Sequence, residues 1–128
     1  MQARIWWVLG CVFGFVGVLG GAFGAHALED MVSPDRLDTW SVGTNYLQVH
    51  GLALVCLGLA RTGWAHRGLD VAGVAFTLGS CLFSGSLWAL VLLDLPILGA
   101  ITPFGGVCFL VGWLAALVGG WGAIAPSS

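Results

Sequence analysis

The stretch that decides the fold is Ile5–Leu28, IWWVLGCVFGFVGVLGGAFGAHAL. It runs for twenty-four residues without a charged side chain. At 1.5 Å per residue, about 20 apolar residues suffice to cross the roughly 30 Å hydrocarbon layer of a bilayer. A soluble helix of that length would need a polar face, and none is present. The segment is expected to be a membrane span. Arg4 and the small-x-small run Ala25-His26-Ala27 resemble parts of a secretory signal. The apolar stretch is nevertheless well beyond the 7–15 residues of a signal core, so it is expected to be retained as a helix.

Three further apolar runs follow, from about Ser41 to Ala60, from Val71 to Leu93 and from Pro103 to Ile124. The fold class expected is all-α: an integral membrane four-helix bundle with spans at about 5–28, 41–60, 71–93 and 103–124, in one transmembrane domain covering 1–128. Composition agrees. Hydrophobic residues make up 59% of the 128 and charged residues 8%, against about 25% charged in an ordinary soluble domain. A net charge of −2 with no basic block leaves nucleic-acid binding without an electrostatic basis. The bilayer is the partner the composition implies.

The connections are short. Glu29 to Trp40 is acidic, with Glu29, Asp30, Asp35 and Asp38 around Arg36. Ser33-Pro34 reads as a helix start, since serine caps and proline occupies the first turn, where its missing N–H costs nothing. Thr102-Pro103 repeats that signal. Trp40 and Tyr46 fit an aromatic belt at the membrane surface. With four spans, the N-terminus, the Arg61–Asp70 hinge and the C-terminus share one side, which holds Arg4, Arg61 and Arg67. The other side holds Arg36 alone. The positive-inside rule then predicts an N-in/C-in orientation.

Lipid provides no hydrophobic drive between helices, so close backbone approach and interhelical hydrogen bonds must hold them together. Gly10, Gly14, Gly17, Gly21 and Gly24 form a stripe at spacings of 4, 3, 4 and 3, the period of a left-handed helix pair. Gly73, Thr77, Ser80 and Ser84 form a second seam, and Gly105, Cys108, Gly112, Ala116 and Gly119 a third. Dense helix packing is the expected use of all three. The large side chains Trp6, Trp7, Phe13, Trp88, Trp113 and Trp121 are then expected to face lipid, a sister subunit or the headgroup region. Cys11, Cys56, Cys81 and Cys108 fall one per span without CxxC or Cys/His spacing, and are expected to be small apolar packing residues.

Polar side chains inside a membrane are costly and draw functional attention. His26, Asn45, Tyr46, Gln48, His50, Ser84, Asp94 and Thr102 are expected to collect in the half of the bundle remote from the termini. Three roles are open to them. The histidines can hydrogen-bond across helices to Asn45, Gln48, Ser84 or backbone carbonyls and fix the register. The cluster can bind a quinone headgroup, a lipid headgroup or a proton, as a neutral imidazole does. Or His26 and His50 can ligate haem or a metal, for which no third ligand is evident. No catalytic residues, cofactor or metal are expected: the chain carries no P-loop, hydrolase elbow, dinucleotide-binding glycine fingerprint or paired carboxylates.

Gly21-Ala22-Phe23-Gly24-Ala25-His26-Ala27-Leu28, Tyr46 with His50, Leu82-Phe83-Ser84-Gly85-Ser86-Leu87, Thr102-Pro103-Phe104-Gly105-Gly106 and Gly112-Trp113 occur in that order. Together they resemble the YgdD and transmembrane-protein-256-like family, a domain of unknown function. The resemblance spans nearly the whole chain. It implies a four-helix protein of bacterial inner membranes or animal organelles, and no reaction. It marks Gly24, His26, Tyr46, His50, Phe83, Ser84, Gly85, Thr102, Pro103, Gly105 and Gly106. Relatives often finish with basic residues, where this chain reads Ala125-Pro126-Ser127-Ser128. The function expected is a structural or accessory subunit of a membrane assembly, as a homo-oligomer or within a larger complex. The alternative is a ligand-binding or transport protein built on His26, Tyr46 and His50.

Overall fold

The computed structural model describes residues 2–124. The motif at Ala125–Ser128 lies outside them. Four helices follow one another: α1 (Gln2–Phe23, continued by a π-helical turn, Gly24–Leu28), α2 (Pro34–Gly63), α3 (Arg67–Leu93) and α4 (Thr102–Ile124). A 3-10 turn, Pro96–Ala100, joins the last two. All four are long and apolar enough to cross a membrane. Helix starts follow local chemistry. The Ser33 hydroxyl accepts from the Arg36 N–H at 3.4 Å, with Pro34 in the first turn. His66, not singled out in the sequence as a cap, accepts from the Gly68 N–H through Nδ1 at 3.0 Å and opens α3. The α3 end is closed by Asp94 in the left-handed conformation, φ 50°, which a short polar side chain tolerates.

The helices pack as two antiparallel hairpins. In the first, a Cβ on Gly10 would lie 2.6 Å from the Gly51 carbonyl oxygen, and one on Gly58 2.8 Å from the Trp7 nitrogen. Gly17 makes room for the Gln48 stem in the same way. The stripe read from the sequence is therefore the α1 side of a backbone-to-backbone seam with α2. Gly14 belongs to it through its nitrogen, which a Cβ on Gly51 would meet at 3.0 Å, while its own Cβ position is open. In the second hairpin, Gly105 lies against Phe83, Gly112 against Phe76 and Gly119 against Leu69 and Gly68.

α2 and α3 join the hairpins, and the backbones of α1 and α4 do not approach each other. One core cluster centres on Trp6, Leu54, Leu57, Leu69, Ala72, Phe76 and Phe109; a second, at the end bearing Asp94, holds Leu28, Trp40, Leu90 and Val91. Several aromatic side chains depart from expectation. Trp6 is buried, its ring filling the space that Gly73 leaves. Trp40 is buried as well, and Trp88 is half-buried, stacked on it. Each finds a hydrogen-bond acceptor inside the protein, and the glycines leave ring-sized space. Trp7, Trp113 and Trp121 keep the expected exposed position. The cysteines are not core residues: Cys11, Cys56 and Cys81 are exposed and Cys108 is half-exposed.

Candidate functional site

Along α2, Asp38 and Arg61 are about 35 Å apart by helical rise, close to the thickness of a hydrocarbon layer. His50 falls midway between them. It is 3% exposed. Its Nδ1 lies 2.8 Å from the Tyr46 carbonyl oxygen, and its Nε2 lies 3.1 Å from the Trp113 indole nitrogen. A carbonyl only accepts and an indole only donates. Nδ1 therefore carries the proton and Nε2 accepts, so the ring is the neutral tautomer with both nitrogens engaged. The imidazole stacks on Phe109 with centroids 3.6 Å apart and planes 9° from parallel, and Phe76 lies against it at 5.2 Å. Glycines make this possible. A Cβ on Gly79 would come within 2.6 Å of the Phe109 ring, and one on Gly112 within 2.6 Å of Phe76.

A second polar junction sits nearer the Asp94 end. The Trp40 indole donates to the Gly20 carbonyl at 2.8 Å. Gly20 is the residue whose carbonyl the Gly24 N–H would take in an α-turn, and α1 widens to π geometry at Gly24. Such bulges arise where a side chain enters the helical ladder. Trp88 stacks on Trp40 (4.7 Å, 12°) and its indole nitrogen lies 3.2 Å from the Thr44 hydroxyl. Gly20 and Gly24 accommodate the two rings in turn.

The eight candidates from the sequence do not form one cluster. His26 is exposed on the π-turn near the Asp94 end, and His50 lies at mid-membrane depth. Among the described residues nothing hydrogen-bonds to the His26 ring. The two histidines are separated because α1 meets α2 at Trp40 and Thr44 on the level of Gly20–Gly24, about two to three turns from His50. Tyr46 does share a face with His50, stacked with Phe109 and tilted against Phe83. It is 44% exposed and lies inside the apolar span, not in a surface belt. Thr102 meets Ser86 hydroxyl to hydroxyl at 2.7 Å. Asp94 pairs with Arg36 at 2.7 Å. Ser84 and its neighbour Ser80 are buried with no protein hydrogen-bond partner for either hydroxyl among the described residues. Asn45 is exposed and Gln48 half-buried, both lining an open groove of about 350 Å³ between α1 and α2, together with Ser41 and Glu29.

At the opposite end Arg61 grips Asp70 through two bonds, Nε–Oδ1 at 2.9 Å and Nη2–Oδ2 at 3.0 Å, and also donates to Gln2. This fork and the Trp113–His50 bond were not legible in the sequence. Each joins residues on different helices, and no spacing announces it. Among the described residues no three metal-ligating side chains converge.

Comparison with known proteins matches the arrangement to a family. The family model described as "Protein of unknown function (DUF423)" matches residues 20–106. A UPF0382 membrane protein of Staphylococcus epidermidis is 41% identical over 115 residues, covering 90% of this chain and 93% of its own length. One from Staphylococcus saprophyticus is 40% identical, covering 91% and 96%. The UPF0382 membrane protein YwdK of Bacillus subtilis is 36% identical, covering 90% and 94%. No solved structure matches. The matched stretch includes the π-turn, the Trp40–Trp88 stack, His50 and Gly105. The chain is an integral membrane protein and belongs to the DUF423 family, whose function is unknown.

Proposed function

We propose that this protein is a structural or accessory subunit of a membrane assembly, oriented with both termini in the cytoplasm. The observation that carries the reading is the use of its internal polar groups. His50 Nε2, the indoles of Trp40 and Trp88 and the Thr44 hydroxyl as acceptor from Trp88 join helices, while His50 Nδ1 and the Thr44 hydroxyl proton are held by carbonyls of α2 itself. That is how polar groups hold membrane helices together; among the described residues the buried side-chain groups without a partner are the Ser80 and Ser84 hydroxyls. The connections between helices are short, so binding of partners falls to the lipid-facing surfaces. Arg4, Arg61 and Arg67 at one end, against Arg36 at the other, support the orientation. The motif pattern supports placing DUF423 with the YgdD and transmembrane-protein-256-like proteins, and a bacterial cytoplasmic membrane as the location.

A second reading rests on one feature. Tyr46, His50, Phe83, Phe109 and Trp113 line a groove of about 450 Å³ between α2 and α4 that opens toward lipid. Aromatic walls with one hydroxyl suit a planar lipophilic headgroup such as a quinone. His26 lies outside that groove.

Gentle extraction into native-like lipid, with mass and visible absorption recorded together, tests both. A colourless particle heavier than one chain is the result expected. A monodisperse, ligand-free monomer overturns the subunit reading. Extra small-molecule mass or absorption that disappears in Tyr46→Phe, with stability retained, replaces it with the second.

A further inference from the structure

We infer that the protein self-associates as a parallel two-fold dimer through the lipid-facing side of α2. The inference rests on the subunit reading and names the partner as a second copy of this chain.

Among the exposed residues of α2, which also include Ser41 and Tyr46, Val42, Asn45, Val49, Leu52, Cys56 and Leu59 form one line. Their spacings are 3, 4, 3, 4 and 3, the heptad repeat of a left-handed helix pair. Positions 42, 49 and 56 form the a line and 45, 52 and 59 the d line. The a line carries Val42, Val49 and Cys56 and the d line Asn45, Leu52 and Leu59; valine at a with leucine at d favours two parallel strands. Lipid-facing stripes elsewhere, such as Val8, Val12, Phe15 and Leu19 on α1, are wholly apolar and need no protein partner. The α2 stripe differs by its carboxamide. Asn45 lies about 10 Å below Asp38 by helical rise, inside the apolar span. Among the described residues its side chain has no hydrogen-bond partner, although Thr44 and Trp40 beside it are satisfied.

An unpaired amide in hydrocarbon is costly. Two copies inserted in the same orientation are related by a two-fold axis along the membrane normal. Each seam residue then meets its own counterpart at the same depth. A carboxamide suits that position, since it carries both donors and an acceptor and can satisfy its own copy. One polar side chain in an otherwise apolar seam also fixes the register, because any slip leaves it unpaired. The face is accessible: α2 lies between the groove toward α1, lined by Gly21, Gly24 and Ala25, and an apolar groove of about 470 Å³ toward α4. Small residues at such margins permit close approach of a second helix.

The native sequence supplies the probe. Cys56 sits on the seam, exposed and unpaired, so two copies would place their thiols within disulfide reach. Mild oxidation in membranes, using the full chain, should give a covalent dimer that persists in the variant Cys11→Ser/Cys81→Ser/Cys108→Ser and vanishes in Cys56→Ser. Asn45→Ala should weaken self-association about three- to tenfold in a lipid energy-transfer assay, the range of interhelical hydrogen bonds. Protomer unfolding should be unchanged, since the Asn45 side chain has no hydrogen-bond partner among the described residues. A native particle heavier than one chain that fails to cross-link through Cys56, or cross-links through Cys11 or Cys81 instead, overturns this inference and leaves the subunit reading intact. A monomer in lipid overturns both.

Discussion

The two glycine-seamed interfaces, α1 with α2 and α3 with α4, are built differently from the interface that joins the hairpins. Within each hairpin, backbone lies on backbone. A single Cβ at Gly10 would sit 2.6 Å from main-chain atoms that cannot move aside, and one at Gly119 2.9 Å. Between hairpins, rings and hydrogen bonds span the gap: His50 to Trp113 and Phe109, Trp88 to Trp40 and Thr44. Dispersion at close range holds the first kind, and directional side-chain contacts hold the second. The difference predicts a ranking. Gly10→Leu should be the most damaging change, destabilising by about 3 kcal/mol or more because overpacking against backbone has no relief. Chemical unfolding in mild detergent measures it. Gly106→Ala is the matched control. It meets nothing within 4 Å and should be neutral or stabilising by up to about 1 kcal/mol from helix propensity.

His50→Ala comes next, at about 2–3 kcal/mol. It removes a buried ring stacked on Phe109 and leaves the Trp113 N–H unpaired, and deletion of a packed side chain adds a cavity to the lost bond. Trp113 is half-exposed, so its fluorescence should shift as the indole loses its acceptor. If His50→Ala proved more damaging than Gly10→Leu, the inter-hairpin contact would be the keystone and the comparison would be reversed. Trp40→Phe is smaller, about 1 kcal/mol. Phenylalanine keeps much of the stacking on Trp88 and loses the bond to the Gly20 carbonyl, a modest term in membranes. Hydrogen exchange at Gly24 and Ala25 should report whether the π-turn relaxes to α.

The helices, their order and the α1 seam were legible because they depend on local patterns: apolar length, the 4–3 glycine spacing and the Ser33-Pro34 start. What glycine does at a seam is also readable, since backbone approach is what glycine permits. The site was legible only in part. Tyr46 and His50, one turn apart, do share a face. His26 does not join them. Their relative depth depends on how α1 registers against α2, and Trp40 bonding to Gly20 sets that register. Trp6 and Trp88 were read as lipid-facing or headgroup residues because their size exceeds what a glycine seam suggests, and Trp40 as part of an aromatic belt at the membrane surface. Inside, each lies against a glycine, Gly73 for Trp6, Gly24 for Trp40 and Gly20 for Trp88. A large ring and a distant glycine form a complementary pair that only the tertiary arrangement reveals.

The two ion pairs extend the comparison to the ends of the bundle, where the smallest effects are expected. Arg36–Asp94 ties α2 to the end of α3 by one contact, and the Asp94 side chain is 84% exposed. Exposed pairs contribute little and are screened by salt. Asp94→Asn keeps a residue suited to the left-handed turn and removes only the charge. Its cost should be within about 0.5 kcal/mol and disappear at high ionic strength. Arg61–Asp70 joins the same two helices at the opposite end, through a two-bond fork whose side chains are 19% and 18% exposed, with Trp6 and Gln2 gathered around it. Bidentate geometry is stronger than a single contact, so Asp70→Asn should cost more than Asp94→Asn and retain its effect in salt. Unfolding both variants at low and high ionic strength separates the two. Equal, salt-insensitive losses would mean that Asp94 acts through its backbone conformation, not its charge, and that the two ends of the α2–α3 interface are fastened alike.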